Sequence, residues 1–450
     1  MRRAIKPVLA AAIALAGTLS AGAAAAAAPP PPVVVAGPVV VTPAAQSFFM
    51  EPYLVANSDG IVIAAIGKDP ALSANDNTVV IHRQGWTCRS DDGAAWSCQE
   101  VQRPAGVIDF ADPWLADSRG SACPAYGGIT MVALEGSGIG PRQYLQPVAY
   151  TTLDDGRTWS GPVTIPSFYA VADGTKTEYT GQLYAAWRDF FFASGASVSR
   201  LGSGSDPCVW AEPTLVPDGH DHPRLAPGTT RGGVAYRGSA GTAVMTFHQY
   251  DPDMLPSQAP TPVGATTPLS LLTQLCDSAN GHCFAAYDIG QTLVKGDGQD
   301  YYTVWLDRPT GGPADRQHAV VRFSVSHDGG LTWSAPTVVA GAGGDASTAG
   351  SAAWMPELSY DHATGTLAAA YIERDSPDQR LASVRVRVFR DGEWSAPTTV
   401  GTTLTYMSNT NTHLGDYFGL QATDGVIHLA WQDVTDESGL ARIDYVRLGE

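Results

Sequence analysis

Positive charge is scarce in this 450-residue chain. Lysine occurs only at Lys6, Lys68, Lys176 and Lys295, and 27 Lys and Arg face 44 Asp and Glu, for a net charge of −17. A surface this acidic repels phosphate backbones and anionic lipid, which argues against nucleic acid as a partner. The same charge keeps an exported chain dispersed, so no acidic-groove function follows from it alone. Long apolar stripes of helical period are missing too. Past the N-terminus no window of about 18 apolar residues occurs, so no membrane insertion is expected. No C-x-x-C or Cys/His spacing marks a zinc site, and no metal or other cofactor is expected. Neither a serine nucleophile elbow nor a phosphate-cradling glycine loop stands in a supporting context.

The first 28 residues, MRRAIKPVLAAAIALAGTLSAGAAAAAA, place basic residues before an apolar run and then small residues. That is the layout of a secretory signal peptide, and it predicts a secreted or periplasmic mature chain. Residues 29–46 are Pro, Val and Ala without charge, and read as a tether or as one extended strand. Six cysteines in an exported chain suggest disulfides. Cys88 and Cys98 bracket one turn and Cys276 and Cys283 another. Cys123 with Cys208 follows by elimination, one of roughly 15 arrangements that six cysteines allow.

Glycine and proline are abundant, and short runs rich in Val, Ala, Tyr and Trp alternate with turn clusters, which predicts an all-β chain. The length of residues 47–450 suits a radial repeat, a β-propeller of four-stranded blades. GIVIAAIG, GGITMVALE, QLYAAWRDF, AVMTFHQYD, DYYTVWLDR, TLAAAYIERD and VIHLAWQD read as the second strands of successive units. That makes seven blades, with six as the alternative if one unit is an insertion. Turns follow at RSDDGAAW, TLDDGRTW, GSGSDPCVW, CDSANGHC, SHDGGLTW and FRDGEW. The last unit shows three strands; a strand from PPVVVAGPVVV would complete it and close the ring.

Two of those turns carry a pattern. Ser326, Asp328, Gly330, Thr332 and Trp333 spell S-x-D-x-G-x-T-W, and Thr152, Asp154, Gly156, Thr158 and Trp159 repeat it with Thr first. An Asp in a tight turn accepts the turn's own N–H groups, Gly supplies positive φ, and Trp packs beneath, so the motif is structural. It resembles the Asp box (BNR repeat) of the sialidase-like, or neuraminidase superfamily, β-propellers, and the likeness covers Glu51 to Glu450. The resemblance implies that these turns lie on the face opposite the active site.

Polar and charged residues gather instead where first strands begin and second strands end: Glu51, Asp112, Glu178, His222, Arg224, Glu357, Asp416 and Tyr417, with Arg188, Arg308 and Arg374. Carboxylates, arginines and an imidazole converging on one axial pocket suit a sugar or glycoconjugate. Tyr417, followed by Leu420, Asp424, Gly425 and an apolar strand, resembles the sialidase segment whose Tyr is the nucleophile. The resemblance implies an exo-acting, retaining glycoside hydrolase. Tyr417 would attack, Asp112 would serve as general acid/base, and Glu178 or Glu357 would activate the phenol. Arg188, Arg224, Arg308 and Arg374 are the candidates to fork onto a substrate carboxylate, with Glu51, His222 and Asp416 beside them. The family's N-terminal F-R-I-P is replaced by Phe49-Met50-Glu51-Pro52, and a Glu there would repel an anionic sugar. A non-catalytic glycan- or protein-binding propeller is the alternative, and a polysaccharide lyase a further one. A monomer is expected. Oxygen-rich turns at Gly296–Asp300 and Asp251–Asp253 are the places a structural Ca²⁺ could occupy, and His220, His222 and His248 are weak transition-metal candidates.

Overall fold

The computed structural model describes residues 27–43, 49–68, 83–137, 144–167, 172–189, 195–217, 220–226, 232–237, 244–250, 261–265, 275–277, 282–284, 291–307, 319–341, 351–375, 381–404, 406–407, 415–434 and 441–450. Residues 1–26, most of the segment expected to be a signal peptide, lie outside them. The described chain is all-β with no α-helix, only a single 3₁₀ turn at Pro124–Tyr126. No helix among the described residues is long and apolar enough to cross a membrane.

The strands form successive antiparallel sheets of four or five strands, and within six of them chain order is spatial order. The sheet Phe49–Asn57, Gly60–Lys68, Arg83–Ser90 and Ser97–Glu100 sets the pattern. The exception is the last sheet, in which the fourth place beside Ala441–Gly449 is taken by Val33–Val40 from the N-terminal segment. First strands contact one another in a cycle: Phe49–Asn57, Val107–Asp117, Ala172–Tyr179, His220–Ala226, Gln291–Lys295, Ala352–Asp361, Gly419–Thr423, and back to Phe49–Asn57.

Burial between sheets holds this arrangement together. Trp187, Trp305 and Trp431, from the second strands, are wholly buried with Trp354. Each contributes up to about 3 kcal/mol by removal from water. Two expected disulfides are present. Cys88–Cys98 ties neighbouring strands of one sheet, and Cys123–Cys208 spans 85 residues to join two sheets. Closing a loop that long restricts the unfolded chain by roughly 4–5 kcal/mol. Cys276 and Cys283 are register partners, and their side chains lie outside the described residues.

One unit differs from the sequence reading. AVMTFHQYD is the third strand of its sheet, not the second; Gly232–Arg237 takes the second place, between His220–Ala226 and Val244–Tyr250. With two glycines and an arginine in six residues, that segment carries too little apolar signal to read as an inner strand. Leu275–Asp277 and His282–Phe284, at the two ends of CDSANGHC, belong to a separate three-stranded sheet made with Tyr406–Met407.

The two S-x-D-x-G-x-T-W segments form the same turn. Asp328 Oδ1 accepts from Ser326 Oγ and Thr332 N, each at 2.8 Å, and Oδ2 accepts from the Thr332 hydroxyl at 2.6 Å. Asp154 does likewise with Thr152 and Thr158. Each turn follows a third strand, so antiparallel alternation puts it at the end of its sheet away from the start of the first strand.

Candidate functional site at the start of the first strands

A shared irregularity builds the site. Pairing of first with second strands slips between Met50 and Tyr53, Ala111 and Trp114, Asp173 and Lys176, His220 and Arg224, and Trp354 and Glu357. Three of these bulges put a residue with left-handed backbone before proline: Glu51 (φ 53°), Asp112 (φ 49°) and Met355 (φ 51°). Such φ values are costly for non-glycine residues and persist only where packing enforces them. Beyond the bulge, Tyr53, Trp114, Lys176, Arg224 and Glu357 hold matching register positions, and all five line one small, partly open cavity of about 20 Å³, room for a single water.

Those five side chains and Tyr417 make a plug. The Tyr53 and Trp114 rings stack at 3.6 Å, and Trp114 meets Tyr417 edge to face at 5.0 Å. Lys176 Nζ lies 4.0 Å from the centre of the Trp114 ring and 4.2 Å from that of Tyr417, and the Arg224 guanidinium lies 4.7 Å from Trp114. Cations over aromatic faces gain about 2 kcal/mol when desolvated. Arg224 also pairs with Glu357 at 2.7 Å, both side chains 4% exposed. Burial, with Arg224 adding to it, pulls the Lys176 amine down to about 7, while Asp112, Glu357 and Asp416 oppose the shift.

The expected nucleophile sits inside the plug. Tyr417 is 1% exposed, and its hydroxyl donates to the Pro113 carbonyl at 3.0 Å. Burial first, then Glu51, Asp112 and Asp416, raise its pKa well above that of a free phenol. Glu178 lies at the edge of the same small cavity, which shares walls with a channel of about 890 Å³ lined by Glu178, Lys295, Asp297, Tyr360 and His362. Burial pushes the Glu178 carboxyl up to about 8; Arg224 lowers it and Glu357 raises it.

Above the plug the carboxylates of Glu51, Asp112 and Asp416 meet, one oxygen of each lying within 4.8 Å of the others. Burial, then Asp416 and Asp112, raise the Glu51 pKa well above the usual carboxylate value, with Arg83 and Lys176 opposing. Arg83 is itself held by two hydrogen bonds to Asp109. Gly415 (φ 71°) permits the approach, since a Cβ there would stand 2.8 Å from Glu51 Cγ.

The remaining sequence candidates divide. Arg374 is buried, its guanidinium 5.3 Å from the Trp354 ring centre, and Arg188 is half-buried in the strand Leu183–Asp189; neither lines the small cavity. Arg308, Asp251, Asp253 and the side chains of His220, His222 and His248 lie outside the described residues. In the Gly296–Asp300 turn, the carbonyls of Gly296, Gly298 and Asp300 accept from the Lys295 ammonium, so a cation already serves those oxygens. Sequence reasoning passed over Tyr53 and Trp114. The signal lay in the repeated proline: Glu51-Pro52-Tyr53, Asp112-Pro113-Trp114, His222-Pro223-Arg224 and Met355-Pro356-Glu357.

No family model matches the chain, and no curated protein does. Among solved structures it is similar to a protein of unknown function from Dyadobacter fermentans, at 12% identity and a TM-score of 0.52 over 93% of this chain and 99% of that one. A Hadza microbial sialidase aligns at 13% identity and a TM-score of 0.45, over 89% of this chain and 65% of that one. The intramolecular trans-sialidase from Ruminococcus gnavus aligns at 12% identity and a TM-score of 0.41, over 92% and 97%. At such identities likeness speaks to fold alone, and the Dyadobacter protein carries that point.

Proposed function

We propose that the chain is an exported, sialidase-like β-propeller, its seven larger sheets being seven blades, that recognises carbohydrate at the acidic end of the ring without sialidase-type chemistry. One observation carries the second half: the Tyr417 hydroxyl donates to the Pro113 carbonyl, its sole hydrogen bond among the described residues. A phenol nucleophile needs a base to take its proton. Glu357 is engaged by Arg224, and the surroundings of Tyr417 hold its proton on. The resemblance carried by Ser326–Trp333, Thr152–Trp159 and the Tyr417 segment supports carbohydrate as the ligand class. Three converging carboxylates accept hydrogen bonds from sugar hydroxyls and repel a sugar carboxylate, so the ligand is a neutral or amino sugar. The signal-peptide layout and the two disulfides support a location outside the cytoplasm.

A glycan array probed with the mature chain tests this. Retention of neutral glycans, lost in Asp112→Asn and kept in Tyr417→Phe, is expected; a blank array, or retention of sialosides alone, overturns it. Glycoside hydrolysis is the second reading, favoured by the closeness of Glu51 and Asp112. Their oxygens lie within 4.8 Å, and one carboxyl is biased toward its protonated form, the pairing a retaining glycosidase uses. Release of a fluorogenic phenol from neutral glycosides, abolished in Asp112→Asn and indifferent to Tyr417→Phe, would establish that reading instead.

A further inference from the structure

We propose that Glu51, Asp112 and Asp416 together hold one Ca²⁺ ion. Each offers one oxygen, and no two of these oxygens are more than 4.8 Å apart, the span of two ligands on opposite sides of an ion at about 2.4 Å, inside the range for calcium. The donors are all hard oxygens, the kind that Ca²⁺ takes and softer metals do not select.

A second observation points to a ligand independently of the cluster's charge. Glu51 is 3% exposed, and its Oε2 atom is buried with no hydrogen-bond partner among the described residues. A buried carboxylate oxygen without a donor forfeits its hydration and recovers nothing. Lys176 does not repair this, because its Nζ makes no hydrogen bond among the described residues and lies over the Trp114 and Tyr417 rings. Arg83 is committed to Asp109.

The backbone supports the same arrangement. Glu51 and Asp112 occupy equivalent bulges of neighbouring first strands, and Asp416 follows a glycine whose side chain, if it had one, would collide with Glu51. Three segments far apart in sequence are thus brought to one point. Positions of the ion left open suit water or two neighbouring sugar hydroxyls; that role rests on the carbohydrate reading, whereas binding of the ion does not.

Calorimetric titration of the EDTA-stripped mature chain with CaCl₂ tests the site, with thermal melts alongside. One Ca²⁺ per chain is expected, with a raised melting temperature. Affinity should fall about tenfold or more in Glu51→Gln and in Asp416→Asn, as ligand charge is removed, and stay unchanged in Asp328→Ala at the opposite end of the sheets. Circular dichroism of the variants separates lost binding from lost folding, and either variant alone suffices if it folds. No heat and no melting shift in the folded wild type overturns the proposal. So does undiminished binding in both variants, which puts the ion elsewhere, and so does saturation by Mg²⁺ with indifference to Ca²⁺. Calcium binding together with a blank glycan array would leave the ion in place and remove the carbohydrate reading.

Discussion

Glu51 and Asp328 are both acidic, both sit where a strand meets a bend, and the fold treats them in opposite ways. Hydrogen bonds from the Thr332 hydroxyl and backbone lower the pKa of Asp328, so its charge is welcome where it stands. Burial and two neighbouring carboxylates raise that of Glu51, so its charge is resisted. A carboxylate answered within seven residues is part of the scaffold. One assembled from distant segments and left with an unanswered oxygen is a place where something else is expected to bind.

The plug beneath Glu51 is where the comparison can be broken most severely. Glu357→Ala strands the buried Arg224 guanidinium, and chemical denaturation should show a loss of about 3–5 kcal/mol. Replacing both partners, Arg224→Met with Glu357→Leu, should recover most of that loss, because a buried pair owes much of its apparent worth to the penalty for leaving half of it. Equal losses in single and double variants would mean that the plug is held by shape and not by charge.

Glu178 gives a smaller effect with a definite sign. Its carboxyl is pushed from 4.5 to about 8, so the folded chain holds that proton more tightly than the unfolded chain does. The stability it contributes is complete below about pH 4.5 and drains away as pH rises toward 8. Glu178→Gln should match the wild type near about pH 4 and exceed it by about 2 kcal/mol at about pH 9, a figure reduced for the partial exposure of the group. Parallel stability curves across that window would remove the burial argument at this position.

These contrasts also mark how far the sequence could be read. The turns at Thr152–Trp159 and Ser326–Trp333 were legible because every group in them is local: hydroxyl, carboxylate, glycine and backbone N–H fall within eight positions. Six second strands, such as GIVIAAIG and VIHLAWQD, were legible from unbroken apolar runs. Gly232–Arg237 was not, because its place in the sheet is fixed by its neighbours and not by its own composition. Glu51, Asp112 and Asp416 could be picked out singly, but their meeting depends on how the first strands close upon one another. The same holds for Tyr417. Its position at the head of the last inner strand was readable, whereas its bond to the Pro113 carbonyl depends on a bulge in a different sheet.

The mildest perturbation is the sharpest test of the division between the two ends. Asp328→Ala removes the acceptor for Ser326 Oγ, Thr332 N and the Thr332 hydroxyl at a half-exposed turn where water replaces part of what is lost. The expected cost is about 1 kcal/mol at neutral pH, comparable to losing a helix cap. Because the folded chain lowers the pKa of Asp328, its stabilisation is present above the ordinary value of 3.8 and is lost as pH falls through the folded-state value. Wild type and variant should therefore converge in acid, as the Glu178 pair does, but the gap above that range has the opposite sign: Asp328→Ala is the less stable partner at neutral pH, whereas Glu178→Gln is the more stable one in base. Binding of Ca²⁺ and of glycans should be untouched by Asp328→Ala, since the turn and the acidic cluster lie at opposite ends of their strands. A shift in either would couple the two ends through the sheets and end the separation of scaffold from site.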